Sequence, residues 1–230
     1  MGIAENLEKV QNRIRAVCEA VGRDPNTVRL LAASKRTDAE GIRQSIALGH
    51  VLFGENRAQA LRDKFDEVAP EHPEAQWHFI GYLQRNKVKY IVGRASMLHS
   101  LDSLDLAEAI SDRIDHLRSQ GQEIAPMKVL VQVKLGDEES KTGLEADAVL
   151  PFCQQLQAMP NIALCGLMNI APLAGTPKEW FTQVAELAEK GRQMGLPLHE
   201  LSMGMSGDLE EAIACGATMV RIGSDIYWAQ

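Results

Sequence analysis

The chain has 230 residues, and its 24 Lys and Arg set against 31 Asp and Glu leave a formal charge of −7. That balance excludes non-specific nucleic-acid binding, which needs a broad positive field, and no Lys/Arg block stands in for one. With 45% hydrophobic and 24% charged residues the composition is globular, neither disordered nor fibrous, and the length suits one α/β domain of barrel size over 1–230.

After Met1 the chain runs directly into Glu5, Glu8, Lys9 and Arg13, without an apolar export segment, which predicts a cytoplasmic protein. Ile3, Leu7, Val10, Ile14, Val17 and Val21 recur at helical spacing, predicting an amphipathic helix that stops at Gly22, ahead of Pro25. From Val28 onward short apolar runs alternate with longer helical patterns. Strands are predicted over 28–34, 51–54, 77–80, 97–101, 128–135, 162–170, 199–203 and 218–222. Helices are predicted over 37–48, opening with a capping box of Thr37 and Glu40, then over 57–68, 84–92, 103–120, 147–159, 177–194 and 207–215. Strands alternating with helices imply βαβ units and a parallel sheet. Eight such units with near-continuous apolar strands fit a closed (β/α)₈ TIM-like barrel, preceded by an extra N-terminal helix, better than an open sheet.

The uncharged stretch 148–177 is long enough to raise the question of a membrane span, but Pro151, Pro160, Pro172 and Asn169 interrupt it, which predicts a soluble core segment. Cys18, Cys153, Cys165 and Cys215 show no C-x-x-C pairing and read as free thiols. His78 and His99 fall at neighbouring strand ends, yet no metal-ligand spacing accompanies them, so no metal is expected.

Barrel proteins place their chemistry at the C-terminal ends of the strands. There the sequence offers Lys35 after the first apolar run, Asn56 after the second, His78 in the third, Lys134 after the fifth and Arg221 in the eighth. The last two loops, Met203 to Asp208 and Arg221 to Asp225, are small, carry glycines and lead into helical sequence. Free backbone N–H groups and the hydroxyls of Ser206 and Ser224 there suit a phosphate, with local neutral donors replacing an overall positive field. A lysine has an ordinary pKa of about 10.4 and is a poor nucleophile at neutral pH, whereas burial lowers that value by up to about 3–5 pH units and enables Schiff-base chemistry. Lys35 is expected on a rigid, dry strand end; its bland alternative is an ion pair with Glu55. A phosphate pocket with a strand-end lysine fits two chemistries: pyridoxal 5′-phosphate linked through Lys35, or a Schiff-base aldolase acting on a sugar phosphate through Lys134.

The chain resembles the YggS/PROSC family of pyridoxal-phosphate homeostasis proteins over nearly its whole length. The blocks that carry the resemblance are Ala33-Ser34-Lys35, Phe53-Gly54-Glu55-Asn56, Trp77-His78-Phe79-Ile80-Gly81 with Leu83-Gln84-Arg85-Asn86-Lys87, and His99-Ser100-Leu101-Asp102. Others are Glu138-Glu139-Ser140-Lys141-Thr142-Gly143, Gly166-Leu167-Met168, Leu201-Ser202-Met203-Gly204-Met205-Ser206 and Val220-Arg221-Ile222-Gly223. The resemblance implies a fold like the barrel domain of alanine racemase, with pyridoxal 5′-phosphate as cofactor and Lys35 as its Schiff-base lysine. It also implies Asn56 near the ring, Arg221 facing the pyridine nitrogen, and Ser206, Gly223 and Ser224 on the phosphate, with His78 and Met203 as wall residues. Lys134, Asn169, Tyr82 and the run Ser224 to Tyr227 depart from the usual family pattern and put the details of the wall in question.

An arginine at the pyridine nitrogen weakens the ring as an electron sink. The chain ends directly after its eighth unit, and its tyrosines do not match the tyrosine base of the racemases. The expectation is therefore a carrier that takes part in intracellular pyridoxal phosphate homeostasis, with little or no catalytic turnover. Apo-enzymes that need the cofactor would be its recipients, Lys141 a second docking point during transfer, and the monomer its state, with a dimer as the alternative. A pyridoxal-phosphate-dependent amino-acid racemase and the aldolase remain the alternative functions.

Overall fold

The computed structural model describes residues 2–136 and 142–228. Lys141, assigned a docking role above, lies outside the described residues.

The first helix, α1 (Ile3–Ala20), buries Leu7, Val10, Ile14 and Cys18 along one stripe and stops at Gly22, whose φ of 69° only glycine adopts without strain. Alternating elements follow: β1 (Arg29–Ala33), α2 (Ala39–Ala47), β2 (Leu52–Glu55), α3 (Ala58–Val68), β3 (Gln76–Phe79), α4 (Val88–Ile91), β4 (Met97–Leu101) and α5 (Leu104–Ser119). The second half adds β5 (Met127–Lys134), β6 (Leu144–Glu145), α6 (Ala146–Gln157), β7 (Ile162–Asn169), α7 (Pro177–Gln193), β8 (Glu200–Ser202), α8 (Leu209–Ala214), β9 (Met219–Ile222) and α9 (Ser224–Tyr227).

Every strand pairing is parallel. β1 pairs with both β2 and β9, and the order β4-β3-β2-β1-β9-β8-β7-β5 closes through a β4–β5 pairing. Eight strands thus form the closed barrel that the alternation predicts, and β6 is a two-residue addition beside the end of β5. The predicted helix over 84–92 is a single 3₁₀ turn at Arg85–Lys87 followed by the four-residue α4. The uncharged stretch is divided between α6 and β7, and among the described residues no helix is long and apolar enough to cross a membrane.

Strand alternation sorts side chains into two shells. The outer shell lies between sheet and helices and holds the main core, including Phe53, Trp77, Phe79, Leu98, Val129 and Val131. Each such fully buried side chain contributes about 1.5–3 kcal/mol of transfer free energy. The inner shell fills the barrel. Its apolar members form two separate clusters, Leu31 with Leu52 and Met219, and Met97 with Leu130 and Met168. On the same inward parity lie His78, His99, Ser202 and Arg221, all buried.

The helix-opening prediction at Thr37 is off by one residue. Asp38 caps α2, its carboxylate accepting from the Gly41 N–H at 3.0 Å. The Thr37 N–H is instead bonded to Ser34 O at 3.1 Å, closing the turn that carries Lys35 and Arg36.

Candidate functional site

A cavity of about 410 Å³ opens among the C-terminal strand ends. It falls within the size range of small-molecule sites and occupies the face where barrels carry function. A hollow of about 430 Å³ opens at the opposite end, between α1 and the starts of β1 and β2, away from the strand-end residues singled out above.

Six of the eight sequence-predicted residues line the strand-end cavity: Lys35, Asn56, Ser206, Arg221, Gly223 and Ser224. Two do not. His78 is buried inside the barrel below it, and Met203 is fully buried in the outer core. The reason is parity: Ser202 points inward, so its neighbour Met203 turns out toward the helices, and the methionine on the cavity wall is Met205.

Lys35 follows the last residue of β1 by two positions and sits in a turn, exposed, where the sequence suggested a dry strand end. Its amine has no hydrogen bond or ion pair among the described residues. The ion pair with Glu55 does not form: Lys35 lines the cavity, whereas the buried Glu55 is not on its wall and is bonded to Lys64 from α3, whose Nζ donates to Glu55 Oε1 at 2.5 Å and to Ser34 O at 2.7 Å. Ser34 Oγ donates to the same Glu55 oxygen at 2.8 Å. The C-terminal end of β1 is thereby tied to β2 and α3, and the neighbouring lysine is left uncommitted. Lys134 is a different case: it pairs with Glu145 at 3.0 Å and is not on the cavity wall.

The loops after β8 and β9 meet at two hydroxyls, with Ser206 Oγ and Ser224 Oγ 2.9 Å apart. The backbone N–H groups of Ser206, Gly207, Gly223 and Ser224 donate to no described group. Backbone donors away from water need a partner, so their concentration at one wall suits an oxyanion. Glycine is required at 223, since a Cβ there would stand 2.8 Å from Ala33 O. Arg13 on α1 braces both loops, donating to Ser206 O at 2.9 Å and to Glu210 Oε2 at 2.7 Å, with Asp225 Oδ2 at 3.4 Å.

Arg221 supplies the buried charge. Its Nη1 donates to Ser202 O at 2.6 Å and Ser202 Oγ at 2.8 Å, and Nη2 donates to Asn169 O at 2.8 Å, while Nε has no partner among the described residues. Burial pushes its pKa down to about 10, opposed by the Asp208 carboxylate, so it remains charged at neutral pH. Among the described residues no carboxylate lines the cavity. Asn56 faces it from the β2–α3 loop, and Gly81 allows the close approach there, because a Cβ at 81 would stand 2.1 Å from Asn56 O.

Three lining residues were not singled out from the sequence. Gln132 shares the inward parity of Leu130 on β5 and donates to Thr142 O at 2.8 Å; counting parity along the strand was the available signal. Trp228 lies under the Arg36 guanidinium, 4.4 Å from it, and Met205 flanks the phosphate-type loop; neither belongs to a periodic element that would mark it.

The fold and this rim define a barrel of the alanine racemase N-terminal-domain class, and the model of that domain, described as "Alanine racemase, N-terminal domain", matches residues 3–230. Among curated proteins the chain is 38% identical over 231 residues to the pyridoxal phosphate homeostasis protein of Aquifex aeolicus, covering 99% of this chain and 98% of that one. It is 40% identical over 228 residues to the protein of the same name from Pseudomonas aeruginosa, covering 99% and 96%. Among solved structures, PipY of Synechococcus elongatus with PLP bound superposes with a TM-score of 0.83 at 33% identity, covering 98% of this chain and 99% of that one. The chain belongs to this family of pyridoxal phosphate homeostasis proteins.

Proposed function

We propose that the chain binds pyridoxal 5′-phosphate in the strand-end cavity and serves intracellular homeostasis of that cofactor, holding it and passing it to cytoplasmic apo-enzymes that require it. The observation that carries this reading is the placement of one uncommitted primary amine, on Lys35, in the same cavity as an oxyanion cradle and a buried guanidinium. The residues present fit the group: neutral hydroxyl and N–H donors for a phosphate, a donor-only Arg221 for an aromatic nitrogen, and an amine for an aldehyde. The names of the relatives, and the PLP-bound state of PipY, support the same assignment.

When bound, the cofactor supplies a reactive aldehyde that condenses reversibly with amines. Ser206, Gly223 and Ser224 would hold its phosphate, Arg221 would donate to its ring nitrogen, Asn56 would flank the ring and Lys35 would secure the aldehyde. Arg221 keeps its proton at neutral pH and can only donate, so it would offer a ring nitrogen a hydrogen bond without the proton that a carboxylic acid could supply. The racemase alternative requires a second base opposite Lys35. Tyr82 is the tyrosine on the cavity and is 58% exposed, whereas Tyr227 is bonded to Ser45 at 3.2 Å and burial pushes its pKa up to about 12. This arrangement favours a carrier with little or no turnover. All the holding groups named come from one chain, which favours function as a monomer.

The test is a visible spectrum of the purified protein with added pyridoxal phosphate, followed by borohydride reduction and peptide mapping. The expected adduct is at Lys35, absent in Lys35→Ala; an adduct at Lys134 would overturn the assignment. Racemisation assays on alanine and a panel of amino acids are expected to show no saturable turnover, and robust turnover would return the protein to the racemases.

A further inference from the structure

Below the cavity a file of polar side chains runs down the barrel interior and is not explained by cofactor contact. Arg221 Nη1 donates to Ser202 Oγ at 2.8 Å, Ser202 Oγ lies 2.9 Å from His99 Nδ1, and His99 Nε2 lies 2.9 Å from His78 Nδ1. Ser202 is 1%, His99 0% and His78 3% exposed. We propose that His99 and His78 are positioning residues for Arg221, acting through Ser202 as a one-directional chain of hydrogen bonds that fixes the guanidinium and keeps its Nε–H free for the cavity. The role of that N–H rests on the cofactor reading above; the direction of the chain does not.

The direction follows from donor counting. A guanidinium only donates, so Ser202 Oγ accepts from Arg221. The hydroxyl proton then needs an acceptor, and His99 Nδ1 is the remaining group in reach. His99 therefore carries its proton on Nε2 and gives it to His78 Nδ1, which places the proton of His78 on its own Nε2. Every donor points away from the cavity.

Both rings must stay neutral for this order to persist. A second proton on His99 would sit on Nδ1, face Ser202 Oγ and displace the hydroxyl proton, leaving the serine with two donors and nothing to donate to. The surroundings resist such a proton. The charged groups acting on the pair are cationic: Arg29 on β1, paired with Glu200 on β8 at 2.6 Å, Lys128 on β5 and Arg221 on β9. Burial acts in the same sense and pushes the pKa of His78 down to about 3 and that of His99 well below its ordinary value. Among the described residues the guanidinium is thus bonded to neutral acceptors alone, with Asp208 as the carboxylate acting on it, and no described anion is bonded to it.

The experiment compares wild type with His99→Leu, His99→Gln and Ser202→Ala. Two quantities are read: hydrogen exchange of the Arg221 Nε–H by NMR in protein free of cofactor, and the pH dependence of the visible spectrum after loading with pyridoxal phosphate. His99→Leu is expected to speed the exchange about tenfold and to move the spectral midpoint by about one pH unit. Ser202→Ala, which keeps both imidazoles, is expected to do the same. His99→Gln can accept from Ser202 through its carbonyl and donate to His78 through its amide, and is expected to restore both readings. Wild-type behaviour in Ser202→Ala and His99→Leu, or a His99→Gln protein as perturbed as His99→Leu, would overturn the proposal. If His99→Leu does not fold, Ser202→Ala decides the matter. Should wild type take up no pyridoxal phosphate, the function proposed above fails, while the exchange measurement still reads the chain.

Discussion

Lys64 Nζ lies 2.5 Å from Glu55 Oε1, on a carboxylate that is 1% exposed at the end of β2. The same amine also holds Ser34 O at 2.7 Å, tying α3 to the start of the turn that carries Lys35. Removing the cation alone strands a buried anion, which typically costs about 3–5 kcal/mol. Lys64→Met is therefore expected to lower the urea-unfolding free energy by about 3 kcal/mol. The double variant Glu55→Gln with Lys64→Met is expected to regain much of that loss. A loss in Lys64→Met no larger than that of an exposed pair, roughly 0–1 kcal/mol, would show that Glu55 does not depend on Lys64.

The hydroxyls of Ser206 and Ser224 are specific to the phosphate in this assignment, so their loss is expected to discriminate between two ligands. Hydrogen bonds to charged groups contribute about 1.5–3 kcal/mol each, which corresponds to roughly ten- to a hundredfold in affinity. Ser206→Ala and Ser224→Ala are each expected to weaken pyridoxal phosphate by about that factor and leave pyridoxal, which has no phosphate, unchanged. Because the two hydroxyls are 2.9 Å apart, the double variant should lose less than the product of the single losses. Equal weakening of both ligands, measured by titration, would move the phosphate elsewhere.

The barrel was legible because its signal is local: eight apolar runs and the helices between them are periodicities that one chain segment carries by itself. The rim was legible for the same reason, since the residue after a strand end is known once the strand is. The miss at Met203 turned on a single step of strand parity, which apolar content does not report. Half of the Lys64–Glu55 pair was visible, since Lys64 falls on the buried stripe of α3, three residues after Leu61 and four before Val68, but its partner lies on another element that helical periodicity does not report. The His78–His99–Ser202 file needed three strands to close around one axis before its members could meet.

The cap of α2 shows how tertiary structure decides between adjacent candidates. Thr37 and Asp38 both suit a helix start, but the Thr37 N–H closes the turn onto Ser34, and a Cβ at Gly41 would stand 2.1 Å from Thr37 Oγ1. Asp38 is left to take the Gly41 N–H. Asp38→Ala is expected to cost about 1 kcal/mol in urea unfolding, and Asp38→Asn much less, since the amide oxygen can still accept. An Asp38→Asn protein as weak as Asp38→Ala would assign the effect to charge instead of the cap.

The interior histidines predict an acid-sensitive fold. His78 and His99 hold pKa values below the ordinary value of about 6.5, because burial and neighbouring cations disfavour the charged ring. As pH falls through about 6.5 the unfolded chain takes up protons at both residues that the folded barrel refuses. Stability is therefore fully present above pH 6.5 and is lost as pH falls toward the folded values, at about 1.4 kcal/mol per pH unit for each histidine. His50, also depressed by burial, adds in the same direction. Carboxylates dominate below about pH 5, so the informative window is 5.5 to 7.5. In that window His99→Gln removes one of these protons, and its loss of unfolding free energy from pH 7.5 to 5.5 is expected to be about 1 kcal/mol smaller than that of wild type. Parallel pH profiles for the two proteins would mean that His99 already titrates normally inside the barrel, and the hydrogen-bond order from Arg221 to His78 would not survive that result.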